Sequence, residues 1–227
     1  STTMPYNKYM TSMDEFVWDM DVGLGTDSRD QPTQPLFPST GDSNINRMYQ
    51  TPAFTRAYWR AMEESLGSFY STAGVSPLLE RKRAAYAAAG LNFTSPFVPS
   101  GAGRSIPQFI EQRAAFIRPQ LEAVNEPFEL TEPTEGSSLN NPFITLMGTA
   151  PVDAVTIEVN GIPLQLDWNT PGDWTAPFAL QAGENVLLAR ALDAEGAEIA
   201  SEVRTVTFTG VEAWPPLVIN EWMADNE

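Results

Sequence analysis

The character of this chain changes at about Asn125, and that change limits the folds open to it. From about Asp42 to Asn125, apolar residues recur mostly at helical spacing. After it, they alternate at the spacing of strands. A helical period does not settle as a strand, nor a strand period as a helix. The chain is therefore expected to be α+β, with a mainly helical part first and an all-β part after it. Charge divides at the same place: residues 1–126 carry 11 basic and 13 acidic side chains, residues 127–227 carry 2 and 16.

In the first part, Asp42-Ser43-Asn44 predicts the cap of a short helix through Ile45, Met48 and Tyr49. Thr51-Pro52 predicts a second helix, from Ala53 to about Leu66, with Phe54, Ala57, Tyr58, Ala61, Met62 and Ser65 on its apolar face. Arg56, Arg60, Glu63 and Glu64 fall mostly elsewhere on it. Ser76-Pro77 predicts the start of another helix, ending at Gly90. Ser105 predicts the cap of a helix over 106–124, with Phe109, Ile110, Arg113, Phe116 and Ile117 on one side and a kink or stop at Pro119. Ahead of these helices, alternation over 6–18 suggests a hairpin. A long Pro- and Gly-rich loop over 23–43 follows, with Leu36 and Phe37 pinning it.

The second part predicts strands at 128–130, 143–148, 154–159, 162–166, 174–179, 185–192 and 200–208. Asn160-Gly161 is a strong hairpin signal, and Gly183-Glu184-Asn185 and Asp193-Ala194-Glu195-Gly196 are further turns. Seven short strands with regular turns favour a β-sandwich, with Trp168 and Trp174 as core or edge plugs. Residues 211–216 read as a linker, and 217–223 as the first strand of another unit.

One stretch concentrates acids, apolar residues and glycines: Phe16-Val17-Trp18-Asp19-Met20-Asp21-Val22-Gly23-Leu24-Gly25-Thr26-Asp27. On an extended backbone, Asp19 and Asp21 point the same way and repel each other. A hard divalent cation would relieve that repulsion. A metal site on Asp19 and Asp21 stands against a structural role in which they accept from loop amides. Asp19, Asp21, Asp27 and Asp30 share spacing with an EF-hand, but Leu24 sits at its invariant glycine and Asp30 replaces its bidentate glutamate. Arg81-Lys82-Arg83 reads as a solvated helix face, and Asn92-Phe93-Thr94 as a weak glycosylation triplet.

Net charge is −16, which opposes binding to nucleic acid or to an anionic membrane, and no apolar run has the length of a spanning helix. The sequence has neither cysteine nor histidine. Thiolate and imidazole catalysis are thereby excluded, as are zinc sites built on those ligands. Carboxylate, hydroxyl, Arg, Lys and backbone remain for chemistry.

Residues 5–124 resemble the C-terminal part of the CotH family of secreted and spore-coat atypical kinases. The resemblance rests on Trp18-Asp19-Met20-Asp21 with Gly23, on Arg47-Met48-Tyr49 with Pro52, Phe54, Tyr58 and Trp59, and on Ile110-Glu111-Gln112-Arg113-Ala114-Ala115-Phe116. It implies that Asp19 coordinates the Mg²⁺ that carries ATP, with Asp21 beside it. The nucleotide lobe and catalytic base are then expected upstream of Ser1. The second part resembles the Ig-like sandwiches of bacterial exported proteins, on Leu146-Met147-Gly148-Thr149-Ala150-Pro151-Val152, Val159-Asn160-Gly161, Trp174 and Ala182-Gly183-Glu184-Asn185. Val218-Ile219-Asn220-Glu221-Trp222-Met223-Ala224-Asp225-Asn226 resembles the opening strand of a lamin-tail domain.

These resemblances imply three units: a kinase-like lobe over 1–126, a sandwich over 127–210, and a linker with a lamin-tail strand over 211–227. They also imply an extracellular or cell-surface bacterial protein. Its expected partners are neighbouring domains of its own polypeptide and other surface or secreted proteins. Three functions follow as expectations. The first is a structural or binding fragment, inactive by itself. The second is part of an active Mg-ATP-dependent secreted kinase. The third is carbohydrate binding through an exposed Trp168 and Trp174. Calcium on the acidic sandwich is a further expectation.

Overall fold

The computed structural model describes residues 31–39, 41–68, 71–91 and 104–210. They form helices α1 (Ser43–Tyr49), α2 (Pro52–Gly67), α3 (Thr72–Ala88) and α4 (Ile106–Glu122). The strands are β1 (Glu129–Glu132), β2 (Ser138–Leu139), β3 (Phe143–Thr149), β4 (Thr156–Val159), β5 (Ile162–Pro163), β6 (Asp167–Trp168), β7 (Asp173–Ala179), β8 (Gly183–Leu192) and β9 (Glu198–Phe208). The described residues divide into two compact units, one taking 31–38 with 65–117 and the other 39–64 with 118–210. The expected hairpin at 6–18, the linker at 211–216 and the strand at 217–223 lie outside the described residues.

Local signals account for most helix starts. The Asp42 carboxylate accepts from Asn44 N–H at 2.7 Å and caps α1. Ser105 and Gln108 form a reciprocal capping box at the start of α4. The helix start expected at Ser76-Pro77 fails, and so does the alternative of a stop at Pro119. Helix α3 begins at Thr72, with Ser71 as its cap, and Pro77 lies inside it. Helix α4 runs through Pro119 to Glu122. A proline removes one backbone donor from a helix. At Pro119 the ladder resumes at once, with Ala123 N–H donating to the Pro119 carbonyl.

In the first unit, Val75 packs with Phe109 and Ile110, supported by Leu79 and Ile106. Arg113 donates to the carbonyls of Pro32 and Gln34, and Arg104 donates to Gln31 Oε1 at 2.9 Å. These bonds hold the 31–37 segment, where Leu36 is buried. Residues 80–90 are all exposed, as a solvated face predicts for Arg81, Lys82 and Arg83, and Arg83 pairs with Glu80 at 2.8 Å.

The second unit contains a two-sheet β-sandwich. One sheet has the order β1-β3-β7-β6, the other β2-β9-β8-β4-β5. All pairs are antiparallel except β2 with β9. Leu130, Leu146, Trp174 and Ala176 from the first sheet meet Ile157, Val159, Leu187, Ala189, Ala191, Val206 and Phe208 from the second. Each fully buried aliphatic side chain contributes about 1.5–3 kcal/mol. In β8 the alternation is plain: Leu187, Ala189 and Ala191 point inward, while Val186 and Leu188 are exposed. Asn160 and Gly161 both take positive φ, 52° and 79°, as the expected tight hairpin turn requires. All seven predicted strand regions contain a strand, but the two-residue strands β2 and β6 carry no recognisable pattern of their own.

Candidate functional site

Asp19 and Asp21, the residues expected to hold a metal and ATP phosphates, lie outside the described residues. Among the described residues, no group of three or more acidic side chains is arranged to hold a metal ion. The densest polar chemistry lies instead where α2 meets the sandwich, within the second unit.

The buried side chains of α2 are Arg56, Trp59 and Leu66. This is not the expected face. Ala57 and Ala61 are exposed, and Phe54 is 53% exposed. Arg56, by contrast, is only 4% exposed. The partners of Arg56 explain the rotation, because they include four backbone carbonyls at the ends of strands. Arg56 donates to the carbonyls of Ala150, Pro151, Ala154 and Pro171, with Nη2 at 2.7 Å from Ala154 O. An apolar stripe cannot satisfy such acceptors, whereas a guanidinium presents five donors in a fixed fork. The same guanidinium lies 3.6 Å from the centroid of the Trp168 ring.

Burial, with repulsion from Arg60, lowers the Arg56 pKa to about 10, and attraction to Asp153 opposes the shift. Arg56 is thus a cation at neutral pH. Glu63, two turns further along α2, accepts from Asn125 Nδ2 at 3.5 Å. Asn125 in turn accepts from Val152 N–H at 2.8 Å. Burial, then the charges of Asp153 and Glu64, hold the Glu63 carboxyl above its ordinary range. Glu63 Oε2 and Asp153 Oδ1 are both buried and have no hydrogen-bond partner. The loop 169–173 completes the joint, where a Cβ at Gly172 would meet Glu126 Cγ at 2.7 Å.

Trp174 and Trp168 face each other across β6 and β7. Trp174 is 1% exposed and donates from Nε1 to Thr149 O at 3.1 Å. Arg56 covers Trp168. The side-by-side exposed pair expected of a sugar platform is therefore not formed. Arg190 and Arg204, the two basic side chains of the sandwich, are both used internally. Arg190 pairs with Glu158 and lies 3.5 Å from Glu198, and Arg204 pairs with Glu202. No helix among the described residues is long and apolar enough to cross a membrane. Sequence reasoning missed Arg56 as a site residue because a charged side chain on an amphipathic helix reads as solvent-facing.

The class of protein defined by these elements is α+β, with a two-sheet β-sandwich. No family model matches the chain, and no curated protein matches it. Among solved structures it is similar to the fibronectin(III)-like modules of Clostridium thermocellum CbhA, at 19% identity. That match covers 36% of this chain and 95% of that one, with a TM-score of 0.28. It is also similar to an endo-β-1,4-mannanase from Thermotoga petrophila, at 11% identity. There the cover is 53% of this chain and 26% of that one, with a TM-score of 0.31. At these scores the likenesses carry no weight for fold or function, and the sandwich rests on its own strand order and core.

Proposed function

We propose that the chain is a structural or binding segment of an exported bacterial multidomain protein. In this reading an Ig-like module is fastened rigidly to a helical segment of CotH-like descent, and the segment has no catalytic activity by itself. The observation that carries the proposal is the Arg56 joint. One buried cation bonds to four carbonyls from two loops of the sandwich, so residues 39–64 and the sandwich form one compact unit. A spacer that transmits orientation between neighbouring modules needs such a joint, because a bare flexible linker leaves domains free to reorient.

Strand order supports the Ig-like part. Taking β1, β3, β7 and β6 as A, B, E and D, and β9, β8 and β4 as G, F and C, reproduces the two sheets of that fold. The acidic surface, with its arginines paired internally, suits a soluble exported module.

Nucleotide titration tests the proposal. Isothermal calorimetry of the chain with ATP is expected to show no binding, with or without Mg²⁺. Mg²⁺-dependent ATP binding that disappears in Asp19→Ala would overturn the non-catalytic reading in favour of a working kinase site.

A further inference from the structure

We propose that Glu63, facing the Val152-Asp153 turn, is a proton-operated latch at the joint between α2 and the sandwich, tighter when its carboxyl is protonated and looser when it is ionised. The inference concerns the joint alone and holds whatever the ancestry of the helical segment. Its basis is geometric. Arg56 and Glu63 lie seven residues apart on α2, which puts them on the same face, two turns apart. Arg56 grips the carbonyls of Pro151 and Ala154, the residues on either side of the Val152-Asp153 pair. Glu63 reaches the same turn through Asn125, whose side-chain oxygen accepts from Val152 N–H. Glu63 is therefore tied to the turn that carries Asp153, and the Asp153 charge acts on it.

Each contributes a buried oxygen without a donor, Glu63 Oε2 and Asp153 Oδ1. A buried acceptor without a donor is costly, and the like charge of Asp153 adds repulsion to Glu63. The charged groups that act here are few. Arg56 and Arg60 come from α2, Glu64 is beside Glu63 on the same helix, and Asp153 comes from the turn. Glu126 lies across the joint against Gly172. Arg56 attracts Asp153, but no ion pair joins either arginine to either carboxylate, so the cations leave the repulsion only partly offset. A proton on Glu63 removes its charge and turns its unpartnered oxygen from an acceptor into a donor.

The sign follows from the direction of the Glu63 shift. Its carboxyl is held above the ordinary range, by burial first and then by Asp153 and Glu64. Such a group binds its proton more tightly in the folded chain than in the unfolded one. Its stabilising effect is complete below the unfolded value, about 4.3, and is lost as pH rises through the raised folded value.

The test compares melting of the intact chain with that of Glu63→Gln, which keeps shape and supplies a neutral donor. At about pH 8, Glu63→Gln is expected to raise Tm by about 2–4 °C, and this gap should narrow steadily toward about pH 5. Glu184→Gln, an exposed acid on the sandwich, controls for net charge and should show no gap that varies with pH. Asp153→Asn removes the like charge that acts on Glu63 and should flatten the same gap. Hydrogen exchange at about pH 8 should be slower over 52–64 in Glu63→Gln than in the parent chain. A Tm for Glu63→Gln equal to or below the parent at about pH 8, or a gap that does not change with pH, would overturn the latch. So would unchanged exchange over 52–64.

Discussion

Arg56 lies over Trp168, with its guanidinium carbon 3.6 Å from the ring centroid, and the pair joins a helix residue to an edge strand. The indole covers one face of the cation while four carbonyls take up its N–H donors. The arrangement satisfies strand-end carbonyls that face the helix instead of water.

Replacing Arg56 should therefore be expensive. Arg56→Ala leaves carbonyls of Ala150, Pro151, Ala154 and Pro171 without this donor and opens a cavity beside Trp168. The expected loss is about 2–4 kcal/mol in urea unfolding. Arg56→Lys keeps the charge but not the fork, and should recover only part of that loss.

Glu202 and Arg204 act together on the edge strand β1. The Glu202 carboxylate accepts from Leu130 N–H, and Arg204 donates to Leu130 C=O and pairs with Glu202. These bonds fall beside the irregularity between Leu130 and Glu132, where the pairing of β1 with β3 shifts. Glu202→Ala and Arg204→Ala should each cost about 1–3 kcal/mol, and the double variant less than the sum. A thermodynamic cycle measured by chemical denaturation checks the coupling.

Gly148 admits no side chain. A Cβ there would meet Glu129 O at 2.3 Å and Trp174 Cζ2 at 2.6 Å. Neither neighbour can yield cheaply, since one is backbone and the other is a core indole. Gly148→Ala should lower stability by about 1–3 kcal/mol or more, read as a fall in the denaturation midpoint at unchanged slope.

Asn160 holds the hairpin turn in two ways. It adopts φ 52°, and its side chain donates to Val186 O at 3.0 Å and accepts from Leu188 N–H at 2.9 Å. Asn160→Ala loses both bonds and bears the left-handed strain, so about 1–3 kcal/mol is expected. Asn160→Gly relieves the strain but not the lost bonds and should cost less. Thermal melts of the two variants side by side check the order.

Much of the sandwich could be read from the chain because its signals are local and repeated. Asn160-Gly161 marks a turn by its own backbone preference, and the alternation in β8 marks which side chains face inward. Caps at Asp42 and Ser105 are equally local. The helix start expected at Ser76-Pro77 failed because a nearby signal outweighed a local cost. At α3, the cap Ser71 lies upstream of Pro77, and one missing donor did not end the helix.

The site was less legible. The apolar face expected for α2 followed from counting hydrophobic residues, and that count assumes an apolar neighbour. The neighbour of Arg56 includes four carbonyls and an indole, so the helix turns Arg56 inward and leaves Phe54 in solvent. By itself the sequence determined the α+β division, the strand pattern, the turns and the missing thiol and imidazole chemistry, because each is written in residue type or short-range spacing. Only the tertiary structure decided which face of α2 is buried, that Trp168 lies under a cation, and that Glu63 is tied through Asn125 to the turn carrying Asp153. Those outcomes depend on acceptors some 90 to 115 residues away in the chain, and no local period encodes a partner at that separation.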